Sequence, residues 1–489
     1  MSSRSRFKDS STLPYRVHGV AARKRIQDDG ALTFVHISHP EDIKQKGARK
    51  AVRRHVMGRV GRSRKKAPVT FSLSLRPTSQ SREPPPDSLL LTNPHCLQPF
   101  GPYPINTDSR ALQLIQFMQT EGDYLYRPFR YEWFVMAVAD TSAFYLSLAN
   151  AALFMNQITT GKQGATEYSD CAESARYYSE SLYQVTRRLA SNTERTSDGV
   201  ITTVLGFLCH DSSVGAWKRW RLHVIGLERI LRLRGDVSHL GLDVALFILW
   251  MDVVGSVVDD SKPQIPILPQ VTDTQPCFGE ISSLLYALIL PLEDSSDDLR
   301  LVGTALKRAA NLATVVNQNS HCPAFWRDGK LASKLIGPLS HFLLSFPRLP
   351  DKPTDISPEI LLRELVRLTL LVMMARLKKQ FSLLSAETDL LHEKFIDILS
   401  STTHVFTAFP EIGLWAIVAL TSLFPTQSNL THQKICQTMT ILRISTSEAA
   451  IALAKQIVWV GMLMDSQADE LAADINLKLD AHAASGENS

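Results

Sequence analysis

The chain has 489 residues, 44% of them hydrophobic, with 53 Lys and Arg against 48 Asp and Glu for a formal charge of +5. That apolar share excludes a wholly disordered chain and suffices for one large or two fused domains. The six cysteines, Cys96, Cys171, Cys209, Cys277, Cys322 and Cys436, stand at least 38 residues apart, so no zinc ribbon or zinc cluster can be read within this sequence. The charge is distributed unevenly. Residues 1–70 hold 18 basic against 5 acidic side chains, and the remaining 419 hold 35 against 43. A basic arm on a mildly acidic globular unit is the expected organisation.

Residues 1–30 are polar and lack a sustained period, so they read as a disordered lead with no apolar segment of a secretory signal. The alternation from Leu32 to Ile37 fits a short extended piece. Ser38, Pro40 and Glu41 then form a helix start, with Glu41 placed as a capping box requires. The helix expected over 40–60 lines up Ala48, Val52, Val56 and Val60 on one stripe, with Lys46, Arg49, Lys50, Arg53 and Arg54 beside it. Gly47, Gly58 and Gly61 weaken it by up to about 1 kcal/mol each. Between 44 and 66 lie eleven basic residues and no acidic one. Such density calls for an acidic partner or a receptor that reads basic residues.

Residues 1–67 therefore form a basic head, and 68–105 a linker, because nine of the 25 prolines fall between 68 and 104. From 106 to 465 the apolar period is helical throughout. Helices are expected over 108–121, 129–157, 167–191, 198–210, 215–234, 240–258, 279–291, 296–318, 328–347, 357–384, 387–408, 411–423 and 430–463, the last broken near Arg443. No strand alternation is sustained, so the body is expected to be all-α, and 466–489 to be a flexible tail. Segments 133–155 and 242–258 are apolar enough to suggest membrane spans. They contain Asp140, Asp243 and Asp252, each costing roughly 3 kcal/mol in a bilayer, so core helices and no membrane are expected.

Within 215–235, Trp217, Trp220, Val224, Leu227 and Leu231 follow a three-four spacing that makes one apolar seam, and Gly235 stands where a C-terminal cap would end the helix. The wording Trp220-x-x-His223-x-x-Gly226-Leu227, followed by Leu233-Arg234-Gly235, resembles the fungal-specific transcription factor domain. Gln98-Pro99-Phe100-Gly101-Pro102-Tyr103-Pro104 resembles the opening of such domains. Phe34-Val35, Pro40 and the run from Val52 to Lys66 resemble the basic head of members that lack a zinc cluster. The resemblance implies a fungal transcriptional regulator of the kind that accompanies metabolic gene clusters, with a helical body that binds an effector or a partner. It does not carry base-specific DNA reading, because the zinc-cluster cysteines are missing.

The basic run has three readings. Arg53, Arg54, Arg62, Arg64, Lys65 and Lys66 suit a nuclear import receptor, which places the protein in the nucleus. Lys46, Arg49, Lys50, Arg53 and Arg54 suit DNA phosphates, giving non-specific contact, with sequence choice left to a DNA-binding partner. A solvated tail is the third. No aromatic residue lies between 35 and 70, which speaks against a single-strand platform. His95 and His321 each adjoin a cysteine but lack converging ligands, so no metal is expected. His223 reads as a hydrogen-bonded interior histidine. Asp140, Asp243 and Asp252 are expected to need partners, an arginine such as Arg221 or Arg234 for one, and to form structural ion pairs or helix-end caps. No phosphate loop, nucleophile elbow or His-Glu-x-x-His pattern occurs. No cofactor and no catalytic residue are expected; a nuclear scaffold without DNA contact, or a helical enzyme acting on an apolar substrate, are the alternatives.

Overall fold

Apolar runs long enough to be buried on every side set the architecture. A computed structural model describes residues 103–120, 129–160, 170–272, 281–349, 356–383, 385, 387–401, 404–424 and 429–486, all within one unit, Asp87–Ser489. The helix expected over 40–60, the basic run and the Pro-rich linker up to residue 102 lie outside the described residues, while Tyr103 and Ile105 at its end pack against the core. Those described contain nineteen helices and no strand, an all-α fold.

In chain order the first eight are α1 (Ser109–Thr120), α2 (Arg130–Val138), α3 (Thr141–Thr159), α4 (Ala172–Leu189), α5 (Asp198–Ser213), α6 (Trp217–Arg234), α7 (Leu242–Val258) and the short α8 (Pro269–Thr272). They continue as α9 (Ser283–Glu293), α10 (Asp297–Asn319), α11 (Pro323–Arg327), α12 (Gly329–Leu344), α13 (Pro358–Gln380) and α14 (Thr388–Ser401). The last five are α15 (His404–Ala408), α16 (Pro410–Leu423), α17 (Asn429–Leu442), α18 (Ser447–Lys455) and α19 (Gly461–Gly486).

Several helices, α3, α5, α7, α13 and α16 among them, are buried almost all round, and three of these act as axles. Every residue of α3 from Ser142 to Phe154 except Tyr145 is buried, and α3 packs against α1, α2, α4 and α5. The second axle, α13, is buried from Leu361 to Ala375 and touches α10, α12, α14, α15 and α16. The third, α16, is buried from Ile412 to Leu423 beneath α17, α18 and α19. A helix with apolar residues on every face is driven to the interior, and α13 carries paired charges there as well. Packing of α7 on α12 joins the α1–α7 group to the rest, and the buried side chains form one continuous core.

The expected helix 129–157 is instead two, and Asp140 is the reason. Its carboxylate accepts the backbone N–H groups of Ser142 (3.0 Å) and Ala143 (3.1 Å), capping α3 and ending α2 before it. Such a cap is worth about 1 kcal/mol. Burial works against the charged form, but Ser142, the Ala143 N–H and Arg188 together hold the Asp140 pKa below the usual carboxylate value. Gly199 is obligatory alongside, because a Cβ there would fall 1.8 Å from the Asp140 carboxylate. The break near Arg443 is present, with φ +55° at that residue. The segment expected to fray from 466 is helical to Gly486. Met464, Ala468, Leu471 and Ile475 continue a four-three-four spacing and are buried.

A charge cluster ties the middle of the chain together. Asp260, which follows α7 with φ +53°, receives Arg367 of α13 through two bonds of 2.6 and 2.9 Å and Lys394 of α14 at 2.7 Å. Arg348 approaches at 3.3 Å, and Arg367 also holds Glu364 at 2.8 and 2.5 Å. Burial alone would raise Asp260, yet these cations outweigh it and keep the carboxylate pKa low. Four segments remote in sequence are clamped by mutually neutralised groups, the condition under which buried charge is tolerated.

Candidate functional site

Helix α6 carries the motif on which the resemblance rests, and its inner face does two different jobs. Trp220, Val224, Leu227, Ile230 and Leu231 are buried, while Trp217 is half-buried and meets Trp220 edge-on at 6.3 Å. Trp220 lies in a groove on α7 opened by Gly255, where a Cβ would come within 2.0 Å of the indole. At the far end Gly235 has φ +74°, in the region that favours glycine, and its N–H closes on the Leu231 carbonyl. Arg234 donates to the Thr196 carbonyl and pairs with Asp198, fastening the end of α6 to the start of α5. Gly226 and Leu233 stand away from this face: nothing lies within 4 Å of a Cβ at Gly226, and Leu233 is exposed.

The polar part of the inner face centres on His223. Its ring stacks on Phe207 of α5 at 4.9 Å and 12°. Nε2 lies 3.3 Å from the Tyr178 hydroxyl of α4 and 3.5 Å from Asp211 Oδ2 of α5. Arg219 pairs with Asp211 at 2.9 Å, and His210 sits alongside, 3.7 Å from Asp170. Burial pushes Asp211 up to about 7 despite Arg219, and burial together with the Arg219 charge brings His223 down to about 4. Tyr178 is pushed up by burial and by the Asp211 charge. Neither ring nitrogen of His210 has a hydrogen-bond partner among the described residues. The arrangement can hold a proton near neutrality at a carboxylate closed off from solvent.

The three acidic residues singled out in apolar segments all have partners, but not the arginines expected. Asp140 pairs with Arg188, Asp243 with Lys330, and Asp252 accepts the backbone N–H groups of Gln264 (3.1 Å) and Ile265 (2.7 Å). Neither Arg221 nor Arg234 serves them; Arg221 pairs with Asp259. Burial raises Asp252 to about 6. Tyr178, His210, Asp211 and Arg219 were not anticipated as a group, since they come from α4, α5 and the first turn of α6. Arg53, Arg54, Arg62, Arg64, Lys65, Lys66, Lys46, Arg49 and Lys50 lie outside the described residues.

Two surface clefts among the described residues stand out. One of about 510 Å³ is lined by Ser320, His321, Pro323, Trp326, Arg327, Gln380 and Ser382, and one of about 360 Å³ runs beside Phe406 and Lys434. Neither brings an acid and a base together. Among the described residues no group of three or more His, Cys, Asp or Glu is placed to hold a metal ion, and no helix is long and apolar enough to cross a membrane.

A family model described as the fungal specific transcription factor domain matches residues 109–404, more than half of the chain. The chain belongs to the fungal-specific transcription factor domain family. The matched span of this fungal-specific transcription factor domain begins at α1, contains the whole of α6 with the Tyr178–Asp211–His223 cluster, and ends at the first residue of α15. Neither the curated proteins nor the solved structures compared with the chain gave a match. Membership supports a transcriptional regulator rather than an enzyme.

Proposed function

We propose that the protein is a nuclear fungal transcriptional regulator with no zinc cluster of its own. Membership of the fungal-specific transcription factor domain family over residues 109–404 is the observation that carries this reading. The basic head supplies the address: Arg53, Arg54, Arg62, Arg64, Lys65 and Lys66 form the clusters that an import receptor reads. Lys46, Arg49, Lys50, Arg53 and Arg54 touch DNA phosphates, and base choice comes from a partner that carries a DNA-reading module. The helical body receives an effector or that partner. A metabolic gene cluster is the target class that the family resemblance implies.

Replacing Arg62, Arg64, Lys65 and Lys66 with Ala should move a fluorescent fusion toward the cytosol; a fusion that remains wholly nuclear would refute this address. A mobility-shift titration on duplex DNA at several salt concentrations tests the phosphate contacts. Five cations imply a slope of about −4 to −5 in log affinity against log salt. No shift even at low salt would leave the head with import alone.

A further inference from the structure

The outer face of α6 is built unlike a solvated surface. Lys218, Leu222, Ile225, Arg229 and Leu233 follow a four-three-four-four spacing and share one stripe. All five are exposed, Leu222 to 70%. The flanking arginines are each satisfied, Arg219 by Asp211, Arg221 by Asp259, Arg232 by Glu228 and Arg234 by Asp198. Lys218 and Arg229, on the stripe itself, have no ionic partner among the described residues. Gly226 interrupts the helix beside them at a cost of about 1 kcal/mol relative to Ala, and nothing among the described residues requires it. A residue without a side chain at the edge of an apolar, cationic stripe leaves room for the close approach of another helix.

The face that fits belongs to the same chain. On α19, Ser466, Asp469, Glu470, Ala473 and Leu477 point outward, with Leu477 69% exposed, while Ala468, Leu471 and Ile475 are buried on the inner side. Asp469 and Glu470 have no ionic partner among the described residues, whereas the neighbouring Asp465 is held by Lys455. Laid antiparallel at 1.5 Å rise per residue, one register sets Leu222 against Leu477, Gly226 against Ala473, Arg229 against Glu470 and Leu233 against Ser466. Apolar meets apolar, small meets small, and the unpaired cation meets the unpaired acids. A parallel alignment that keeps Arg229 on Glu470 sets Leu222 against Leu463, which is buried. The basic head is excluded as occupant by its own positive charge.

We propose that α6 of one copy docks antiparallel on α19 of a second copy in this register, so that the protein self-associates. Light scattering on the full chain during size exclusion, across the micromolar range, should report a mass above the 54.5 kDa of one copy. Arg229→Glu alone, and the double variant Asp469→Arg/Glu470→Arg alone, should each weaken association about tenfold or more by placing like charges opposite. Mixing those two variants should restore it, because each then supplies the other with complementary charges at both contacts. Restoration also shows that both variants are folded. A wild-type chain that stays monomeric, variants that associate as well as wild type, or a mixture that fails to associate would each overturn the proposal.

Discussion

Asp211 and His223 are 3.5 Å apart and titrate in opposed directions. In an unfolded chain they have pKa values of about 3.9 and 6.5. Burial raises Asp211 to about 7, so the stability it lends is whole below about pH 4 and is lost as pH rises through 7. His223 is depressed to about 4 by burial and Arg219, so its contribution is whole above about pH 6.5 and is lost as pH falls toward 4. Integrated from pH 5 to pH 8, the carboxylate loses about 2.5 kcal/mol and the imidazole regains about 2 kcal/mol. The two nearly cancel in the native protein, and each substitution unmasks the other. Relative to wild type, Asp211→Asn should gain about 2 kcal/mol of unfolding free energy between pH 5 and pH 8, and His223→Gln should lose about as much. Urea denaturation of the full chain, followed by tryptophan fluorescence at pH 5, 6.5 and 8, measures both. Variant-minus-wild-type differences remove the other titrating groups, except where Tyr178, Arg219, His210 or Asp170 respond to the change. A constant offset across pH, or slopes of the same sign, would refute the opposed burial of this pair.

Other substitutions probe the packing that presents α6. Gly255→Ala sets a methyl 2.0 Å from the Trp220 ring and should destabilise by about 1–3 kcal/mol, lowering the urea midpoint without changing helical circular dichroism in water. Arg367→Met strips the bidentate partner from Asp260 and leaves Glu364 unpaired, at a cost of about 3–5 kcal/mol. Thermal unfolding should report that loss, and an unchanged midpoint would show the cluster to be solvated. Measured at concentrations where the protein is a single copy, Gly226→Ala meets no neighbour among the described residues and should raise stability by up to about 1 kcal/mol; a loss there would mean that the helix is not as open as it looks.

The all-α class was legible because period and length agree over most of the body, and α6 shows this best. Trp220, Val224, Leu227 and Leu231 are visible as a seam in sequence and buried in the structure. The junction at Asp140 was hidden because the apolar run continues straight through it; a helix-end cap is one reading of that carboxylate, but nothing in the local spacing marks where the run divides. Its partner Arg188 is 48 residues away, and no local spacing announces it. The same holds for Asp260 and Arg367, 107 residues apart. His223 was readable from the motif, but Tyr178 and Asp211 join it only because α4 and α5 fold beneath α6. The helix to Gly486 was missed because its buried positions include a small residue, Ala468, among polar neighbours that dilute the period. Charge patterning identifies the head as a basic arm and says nothing of its fold.

Regulator against scaffold or enzyme is decided most directly by chromatin immunoprecipitation of the tagged full-length protein with sequencing. A fungal transcriptional regulator should occupy discrete promoters, clustered beside the genes whose transcripts change when the protein is removed. Occupancy no higher than that of an untagged control across the genome, from a protein that is expressed and folded, would contradict that role.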